Sequence, residues 1–300
     1  MPVRAALLAV LVAGALAATP AAAQARFVLG IADQSTAMLA DERFTALGVT
    51  DTRIVVPYDV ALDPVQLARY APFLDAADAL DLRVLVAFNG PAGSKRLPSV
   101  RAYTKAMRAF RARFPAVRDL GTWNEANHAS QPTARHPGRA AQYFNALRGL
   151  CRSCRIVAAD VLDQADNPSA SRPTFRKTAS YIKRFRRALK TPRTICGIHN
   201  YSDVNRFRKS GTKALVKALG CKQIWLTEAG GIYSFPGYKP SVKRQLKATR
   251  YLFKVAKKIK RVKRVCVYNY FGGVTERFDA GLVAGGKPRP AFAEVLKHTR

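Results

Sequence analysis

Acidic side chains are scarce in this sequence, where 19 Asp and Glu residues stand against 51 Lys and Arg residues. Only five of the 300 residues are glutamate. The formal net charge of +32 lies in the last two-thirds, because residues 1–100 hold 8 basic and 9 acidic residues and residues 101–300 hold 43 and 10. A hydrophobic content of 48% is ordinary for a globular core and excludes disorder as a description of the whole chain.

Several motifs that carry cofactor or triad chemistry are also missing. The first strand-like run leads into Gly30-Ile31-Ala32-Asp33, which is not a Gly-rich phosphate turn. The sequence contains no Walker motif, no paired-histidine zinc helix, no acidic calcium loop and no Gly-x-Ser-x-Gly elbow. Its four histidines lack metal-motif spacing: His128, His136, His199 and His298. We therefore expect no obligatory cofactor and no metal, and a serine hydrolase triad is disfavoured.

Long apolar runs are absent with one exception at the N-terminus. Arg4 precedes an uncharged apolar run over residues 5–18, which small residues follow. A short basic region, an apolar region and Ala-x-Ala choices are typical of a secretory signal peptide. We predict a signal peptide over residues 1–25, cleaved after Ala23 or Ala25.

The alternative to a signal peptide is an uncleaved membrane anchor. The run is shorter than the ~20 apolar residues that a spanning helix needs. We therefore expect a mature chain of residues 26–300 that is secreted or held in the cell envelope and does not span a membrane. Without Arg4 its charge is +31. Export also argues against nucleic acid as a partner.

Apolar, β-branched runs alternate with stretches of helical spacing along the predicted mature chain. Eight strand-like runs occur, at residues 27–31, 53–56, 82–88, 120–123, 156–160, 194–199, 223–227 and 265–270. Helical spacing is clear at 64–79, 99–114, 138–150, 175–189, 207–219 and 242–260, and weaker at 35–47 and 290–297. Eight strand–helix units match an α/β fold of the (β/α)8 TIM-barrel type, which typically needs ~250 residues.

An open, doubly wound sheet is the structural alternative to the barrel, but it normally carries the phosphate turn that is missing here. No Pro/Ser-rich linker, low-complexity tract or close repeat divides the chain, so we predict a single domain over residues 26–300. In such a barrel, functional groups lie at the C-terminal ends of the strands and in the loops that follow.

The five cysteines lie in the second half of a chain that we expect to be exported. An oxidising compartment favours disulfides, and an odd count leaves at least one thiol over. Cys151-x-x-Cys154 could be a redox motif or half a zinc site, but no second CxxC exists. Cys196 and Cys221 lie near the starts of the neighbouring sixth and seventh strands. We predict bridges Cys151–Cys154 and Cys196–Cys221, with Cys266 a buried thiol.

Two of the five glutamates end strand-like runs. Glu125 follows the fourth run and Glu228 ends the seventh. The fourth and seventh strands lie on roughly opposite sides of a barrel mouth, so these carboxylates can converge. Two carboxylates that flank a glycosidic bond suffice for glycoside hydrolysis, because one protonates the leaving oxygen and the other attacks the anomeric carbon or activates water. A surface or cap role is ordinary for one strand-end Glu, but two at matched positions favour catalysis.

Asn124-Glu125 after a fourth strand and Glu228 after a seventh are similar to the clan of retaining (β/α)8 glycoside hydrolases that includes families 5 and 39. The resemblance covers residues 26–300 and implies that Glu125 is the acid/base, Glu228 the nucleophile, and Asn124 a contact of the sugar 2-hydroxyl. The sequence departs from the clan in Asn-Glu-Ala, where Asn-Glu-Pro is usual, and in lacking a Trp at the eighth strand. Because of both departures, the resemblance does not identify the sugar that is bound.

Other residues match the same clan pattern. Arg53 corresponds to the arginine beside the nucleophile, and His199 and Tyr201 correspond to the His-x-Tyr after the sixth strand. A buried cation needs a paired anion, so we expect Arg53 beside Glu228, where it keeps the nucleophile ionised. His199 either holds the surroundings of the nucleophile or is a structural histidine, and Tyr201 either donates to Glu228 or packs.

Further substrate contacts are predicted at the ends of other strands. Asp33 ends the first strand and Asn89 the third, so both can reach sugar hydroxyls. Aromatic rings suit stacking on sugar faces, with packing as the alternative. The candidates are Tyr233, Phe235 and Tyr238 in the loop after Glu228, and Tyr268, Tyr270 or Phe271 at the eighth strand.

The sequence thus predicts a secreted, monomeric glycoside hydrolase, or transglycosylase, that acts on an oligo- or polysaccharide with retention. The alternative is a non-catalytic barrel that binds anionic cell-wall polymers or glycans through its basic helices at residues 175–190 and 242–264. The presence of both glutamates favours the enzyme.

The two carboxylates are expected to differ in protonation. Retaining enzymes hold them roughly 5–5.5 Å apart, and like charges at that distance raise one pKa. Because Arg53 is expected beside Glu228, we predict that Glu125 is the group that stays protonated.

Overall fold

A computed structural model describes residues 27–91, 94–237, 239–273 and 278–299. The predicted signal peptide lies outside these ranges. Eight parallel strands form a closed barrel in chain order, with β1 pairing both β2 and β8. The strands are β1 Val28–Ala32, β2 Asp51–Pro57, β3 Arg83–Asn89, β4 Asp119–Gly121, β5 Arg155–Leu162, β6 Ile195–His199, β7 Gln223–Ala229 and β8 Val262–Tyr268. The described residues therefore form a single (β/α)8 TIM barrel, as predicted.

The helices lie around the barrel and follow the strands. They are α1 Glu42–Ala46, α2 Pro64–Ala79, α3 Val100–Arg113, α4 Pro137–Leu150, α5 Arg176–Arg187, α6 Tyr201–Asn205, α7 Ser210–Leu219, α8 Val242–Lys258 and α9 Pro290–Leu296. Side-chain caps begin several of them: Asp63 accepts from the first turn of α2, Ser99 from that of α3 and Ser241 from that of α8. In the described ranges, no helix combines the length and apolar character needed to cross a bilayer.

The predicted elements are confirmed, and several short ones among the described residues were not predicted. The five-residue helix α6 and the hairpin of β9 (Val283–Ala284) and β10 (Lys287–Pro288) are too short to show a periodicity. The main apolar core lies between the strands and the helices, where α3 and β3 meet at the rings of Phe88 and Phe110, 5.1 Å apart.

The N-terminal end of the barrel is closed by charge rather than by apolar packing alone. Arg264 of β8 forms ion pairs with both Asp51 of β2 and Asp119 of β4, and all three are at most 2% exposed. Arg83 and Arg155 bind the same carboxylates from the rim, at 2.5 Å each. Buried charges are tolerated only when they are paired, so this cluster ties five strands together at the end opposite the candidate site.

Arg264→Ala is expected to destabilise the protein strongly. Asp51 and Asp119 would keep their rim partners but lose the cation between them, so we expect the free energy of unfolding to fall by about 3 kcal/mol. The matched control, Arg113→Ala, removes an ion pair with Asp75 that is exposed on both sides and should cost less than ~1 kcal/mol. Urea unfolding followed by circular dichroism compares the two, and equal losses would contradict the buried cluster.

The cysteine predictions are confirmed. Disulfides join Cys151 to Cys154 and Cys196 to Cys221, and Cys266 is a free, fully buried thiol. The first bridge closes the turn from α4 into β5, and the second joins the start of β6 to the segment before β7.

Cys266 should resist alkylation in the native protein. Burial raises the pKa of its thiol to about 12, so almost no thiolate forms at neutral pH. Iodoacetamide should label no cysteine of the folded protein, and Cys266 alone in urea without reductant. Peptide mapping that finds Cys266 in a bridge, or labelled before unfolding, contradicts this arrangement.

Candidate active site

The C-terminal ends of six strands gather polar side chains at one mouth of the barrel. They are Arg53 from β2, Asn124 and Glu125 after β4, Asp160 from β5, His199 from β6, Glu228 from β7 and Tyr268 from β8. Most lie at or just past the last residues of their strands, where a parallel barrel carries its functional groups.

The turn after β4 positions Glu125 between two neighbouring strands. The Asn124 N–H donates to the carbonyl of Phe88 at 2.7 Å, and the Ala126 N–H donates to the carbonyl of Asp160 at 2.9 Å. Glu125 itself has φ of 45°, a left-handed conformation that costs a non-glycine residue roughly 1–2 kcal/mol. Hydrogen bonds on both sides hold this conformation in place.

Glu228 is held by a cation and a hydroxyl. Arg53 Nη1 donates to Oε2 of Glu228 at 2.7 Å, and the Tyr201 hydroxyl donates to Oε1 at 3.1 Å. The side chain of Arg53 is 1% exposed and that of Glu228 is 14% exposed. Each carboxylate oxygen thus has a donor, which orients the group towards the cleft.

Glu125 and Glu228 face each other across His199. Oε1 of Glu125 lies 3.0 Å from Nδ1 of His199, and Oε2 of Glu228 lies 3.9 Å from the same nitrogen. One carboxylate oxygen of Glu125 and one of Glu228 lie within 4.8 Å of each other. The two strand-end carboxylates therefore meet at one cleft.

Asp160 is a site residue that the sequence analysis did not single out. It is fully buried, and its Oδ1 lies 3.3 Å from Nε2 of His199 and accepts from the Thr227 hydroxyl. A Cβ on Gly197 would collide with this carboxylate and with Thr227. Asp160 was available to the rule that found the two glutamates, since it is a carboxylate at the end of a strand-like run.

His199 lies between carboxylates on both of its ring nitrogens. Burial alone would lower its pKa, but the charges of Asp160 and Glu228 and the hydrogen bonds to Asp160 and Glu125 raise the pKa to about 10. Burial likewise acts to raise the pKa of Asp160, yet the neighbouring His199 and Arg53 hold that pKa at about 2. These contacts favour the imidazolium form of His199, with Nδ1 hydrogen-bonded to Glu125 and Nε2 lying 3.3 Å from Oδ1 of Asp160.

The expected protonation of Glu125 is corrected by this arrangement. Burial raises the pKa of Glu125, but the hydrogen bond and the positive charge of His199 outweigh burial and hold the pKa below its ordinary value. The prediction that Glu125 stays protonated in the free protein was wrong, because it placed a cation beside Glu228 alone. The structure places one cation beside each carboxylate.

The charge of His199 can be observed directly. In ¹⁵N-histidine spectra at about pH 8, His199 should show two protonated ring nitrogens, because its pKa is about 10. Asp160→Asn removes an anion that favours the charged ring, so its pKa should fall and the neutral form should appear at lower pH. A neutral His199 in the unsubstituted protein at that pH contradicts the electrostatic assignment.

Glu125, His199 and Glu228 could in geometry offer three ligand atoms to a metal. The donor set argues against this use, because a metal-binding histidine must be neutral and both nitrogens of His199 face carboxylate oxygens. Arg53 also occupies Oε2 of Glu228. The arrangement suits proton transfer and nucleophilic attack.

Two predicted polar contacts have different surroundings. Oδ1 of Asn124 accepts from Arg53 at 2.7 Å, so its amide nitrogen points away from the guanidinium. Asn89, in the amide orientation that satisfies its neighbours, donates to the carbonyls of Val56 and Gly90 at 3.1 and 3.0 Å. Asn124 is therefore the better placed of the two to reach a ligand.

The carboxylate of Asp33 accepts hydrogen bonds from backbone N–H groups. It is 5% exposed, and its oxygens accept the N–H groups of Gln34, Ser35, Tyr270 and Phe271 at 2.7 to 3.0 Å. The bonds from Tyr270 and Phe271 join the end of β1 to the segment after β8, and the other two fix the turn after β1. The carboxylate of Asp33 supports the barrel mouth and has little capacity left for a sugar hydroxyl.

Aromatic rings cluster beside Glu228. The rings of Tyr201, Phe235 and Tyr268 lie 5.3, 6.0 and 6.0 Å from that of Phe278. Tyr268 is partly buried, and burial together with the charge of Glu228 raises the pKa of its hydroxyl. Tyr238, another predicted contact, lies outside the described residues. The cluster provides an apolar wall at the mouth of the barrel.

Two other predicted aromatic contacts face elsewhere. Tyr270 is fully buried and packs edge-to-face against Phe44 and Phe292, so its prediction as a sugar contact is corrected by its burial. The guanidinium of Arg289 lies 3.9 Å from the ring centre of Tyr233 and covers one face of that ring. Neither ring presents a free pair of faces to the cleft.

One known protein family matches more than half of the chain. The model of the family described as glycosyl hydrolase catalytic core matches residues 98–287. No curated protein matches the sequence.

Solved structures with the same fold include xylanase 10B from Thermotoga petrophila RKU-1, with a TM-score of 0.61 at 13% identity over 91% of this chain and 95% of that one. A glucosidase from Croceicoccus marinus has a TM-score of 0.64 at 13% identity, over 91% of this chain and 67% of that one. A β-D-glucuronidase from Dictyoglomus thermophilum has a TM-score of 0.58 at 11% identity, over 91% of this chain and 50% of that one. At these identities the likeness shows the fold.

Proposed function

Because the chain belongs to the glycosyl hydrolase catalytic core family, we propose that it cleaves O-glycosidic bonds with retention of anomeric configuration. The observation that carries this proposal is the separation of Glu125 and Glu228, whose nearest ligand atoms lie within 4.8 Å. Retaining glycosidases hold their carboxyl groups ~5–5.5 Å apart, whereas inverting ones need ~6.5–9.5 Å to admit a water. The short separation supports double displacement.

Glu228 is the proposed nucleophile. Arg53 and Tyr201 donate to its two oxygens, so the carboxylate is held in one orientation while the anomeric carbon approaches. Attack forms the C1–O bond to Glu228 as the bond to the leaving oxygen breaks. The ester has no negative charge, and Arg53 keeps Asp160 and the side-chain amide oxygen of Asn124 as partners through that change.

Glu125 is the proposed acid/base, and His199 is the proposed source of its proton. Glu125 is ionised before substrate binds, and its side chain is 21% exposed. A bound sugar excludes water from this side chain, and because desolvation raises a carboxyl pKa, the pKa of Glu125 rises. A proton can then pass from Nδ1 of His199 to Oε1 along the existing 3.0 Å hydrogen bond. Glu125 delivers a proton to the leaving oxygen, and later removes one from the water that hydrolyses the ester.

The remaining contacts follow from these roles. The amide nitrogen of Asn124 is directed at the sugar hydroxyl next to C1, and the aromatic wall of Tyr268 and Phe278 packs against the ring. Another sugar in place of water would give transglycosylation. The two disulfides support the view that the chain works in an oxidising compartment, after removal of residues 1–25.

The experiment that tests this proposal is a screen of the purified protein. Aryl glycosides of several sugars, and plant and bacterial polysaccharides, would be incubated with the protein and with Glu228→Gln. We expect at least one substrate to be cleaved by the unsubstituted protein alone, with the product anomer equal to that of the substrate by ¹H NMR. A product of inverted configuration contradicts the mechanism.

Azide should distinguish the two glutamates. Glu228→Ala should abolish turnover, and added azide should yield a glycosyl azide of inverted configuration, because the anion attacks where the nucleophile stood. Glu125→Ala should keep the first step for aryl leaving groups that need no proton, and azide should give the retained product. Unchanged rates in Glu228→Ala would overturn the assignment.

A further inference from the structure

A cavity of about 880 Å³ opens beside the candidate active site. Its walls come from the loops after β3, β4 and β5 and from the first three turns of α5. Because these loops follow the C-terminal ends of their strands, the cavity lies on the same face of the barrel as Glu125 and Glu228. Its volume falls in the range of ligand pockets, ~300–1,000 Å³.

The cavity is lined by four basic side chains. They are Lys95, Arg135, Lys177 and Arg184. Among the described residues, none of the four forms a salt bridge, whereas the arginines of the barrel interior are all paired. The acidic lining residue Asp166 caps α5, where its oxygens accept the N–H groups of Arg176 and Lys177.

Short hydrogen bonds connect this cavity to Glu125. The Glu125 carbonyl accepts from the N–H of His128 at 2.8 Å, and the His128 carbonyl accepts from that of Gln131 at 2.9 Å. Gln131 lines the cavity. The lining residue Asn127 exchanges two hydrogen bonds with the backbone of Leu162. The cavity wall and the proposed acid/base are parts of one turn.

The position of the acid/base decides what part of a substrate enters the cavity. A general acid must lie within hydrogen-bond reach of the leaving oxygen, so the leaving-group side of the substrate lies on the side of Glu125. We propose that the cavity binds the leaving-group portion of an anionic polysaccharide, whose carboxylate or phosphate groups contact the four cations. This proposal rests on the proposed function for its orientation, but not for the binding itself.

Calorimetric titration of Glu228→Gln, which binds without turnover, tests the cavity. The carboxylate probe is tetragalacturonate, its uncharged match is the methyl-esterified tetramer, and the phosphate probe is a tetramer of glycerol phosphate. The test pair is Lys177→Glu with Arg184→Glu. The control pair, Lys183→Glu with Arg187→Glu, changes the same charge on another face of the same helix.

We expect at least one charged probe to bind at low salt, and its affinity to fall as salt screens the contacts. If carboxylate is the recognised group, the methyl ester should bind less tightly than tetragalacturonate. If phosphate is the recognised group, the glycerol phosphate tetramer should bind more tightly than tetragalacturonate. The test pair should weaken binding about tenfold or more, and the control pair less than about twofold.

Three results would each overturn the proposal. The first is an equal loss of affinity in the test pair and the control pair, and the second is no binding of either charged probe. The third is equal affinity for tetragalacturonate and its methyl ester together with no binding of the glycerol phosphate tetramer. Hydrolysis of an uncharged aryl glycoside, measured with Glu228 intact, should be unchanged by either pair. Binding that depends on the test pair in a protein without hydrolytic activity would contradict the proposed function and leave the anionic site standing.

Discussion

The buried guanidinium of Arg53 is the constraint on which the rest of the site depends. A cation inside a barrel, 1% exposed, is stable only when anions and carbonyl oxygens surround it, since an unpaired buried charge costs several kcal/mol. Glu228, Asp160 and the side-chain amide oxygen of Asn124 supply those partners. One side chain on β2 thus fixes groups from β4, β5 and β7, and the separation of the two glutamates follows from this packing around charge.

The barrel and its principal carboxylates could be predicted because their signals are local. Each strand is a run of apolar, β-branched residues between helices, and Glu125 and Glu228 mark the ends of two such runs in a chain with few glutamates. The rule that parallel strands carry function at their C-terminal ends turns that spacing into a common cleft. The partnership of Arg53 with Glu228 was expected from the resemblance to the clan, whose pattern has an arginine beside the nucleophile, and a cation on a buried strand needs an anion.

What could not be predicted depends on register and on contacts between strands. The pairings of β5 with β6, β6 with β7 and β7 with β8 all shift register near the site, so two-residue alternation no longer tells which side chain faces the barrel interior. His199 and Asp160 come together in this irregular region. Asp160 favours the charged form of His199, and His199 in turn lowers the pKa of Glu125. Tyr270 faces the outer helices because it lies past the end of β8, where no periodicity applies.

The central claim, that Glu228 forms a covalent bond to the sugar, can be tested by trapping the intermediate. A 2-deoxy-2-fluoro glycosyl fluoride of the sugar that the protein cleaves forms the glycosyl ester but slows its hydrolysis, so the ester accumulates. Mass spectrometry of peptic peptides should place the added sugar on Glu228. Label on Glu125 or another carboxylate, or turnover of the reagent with inversion and no labelled peptide, would contradict the account.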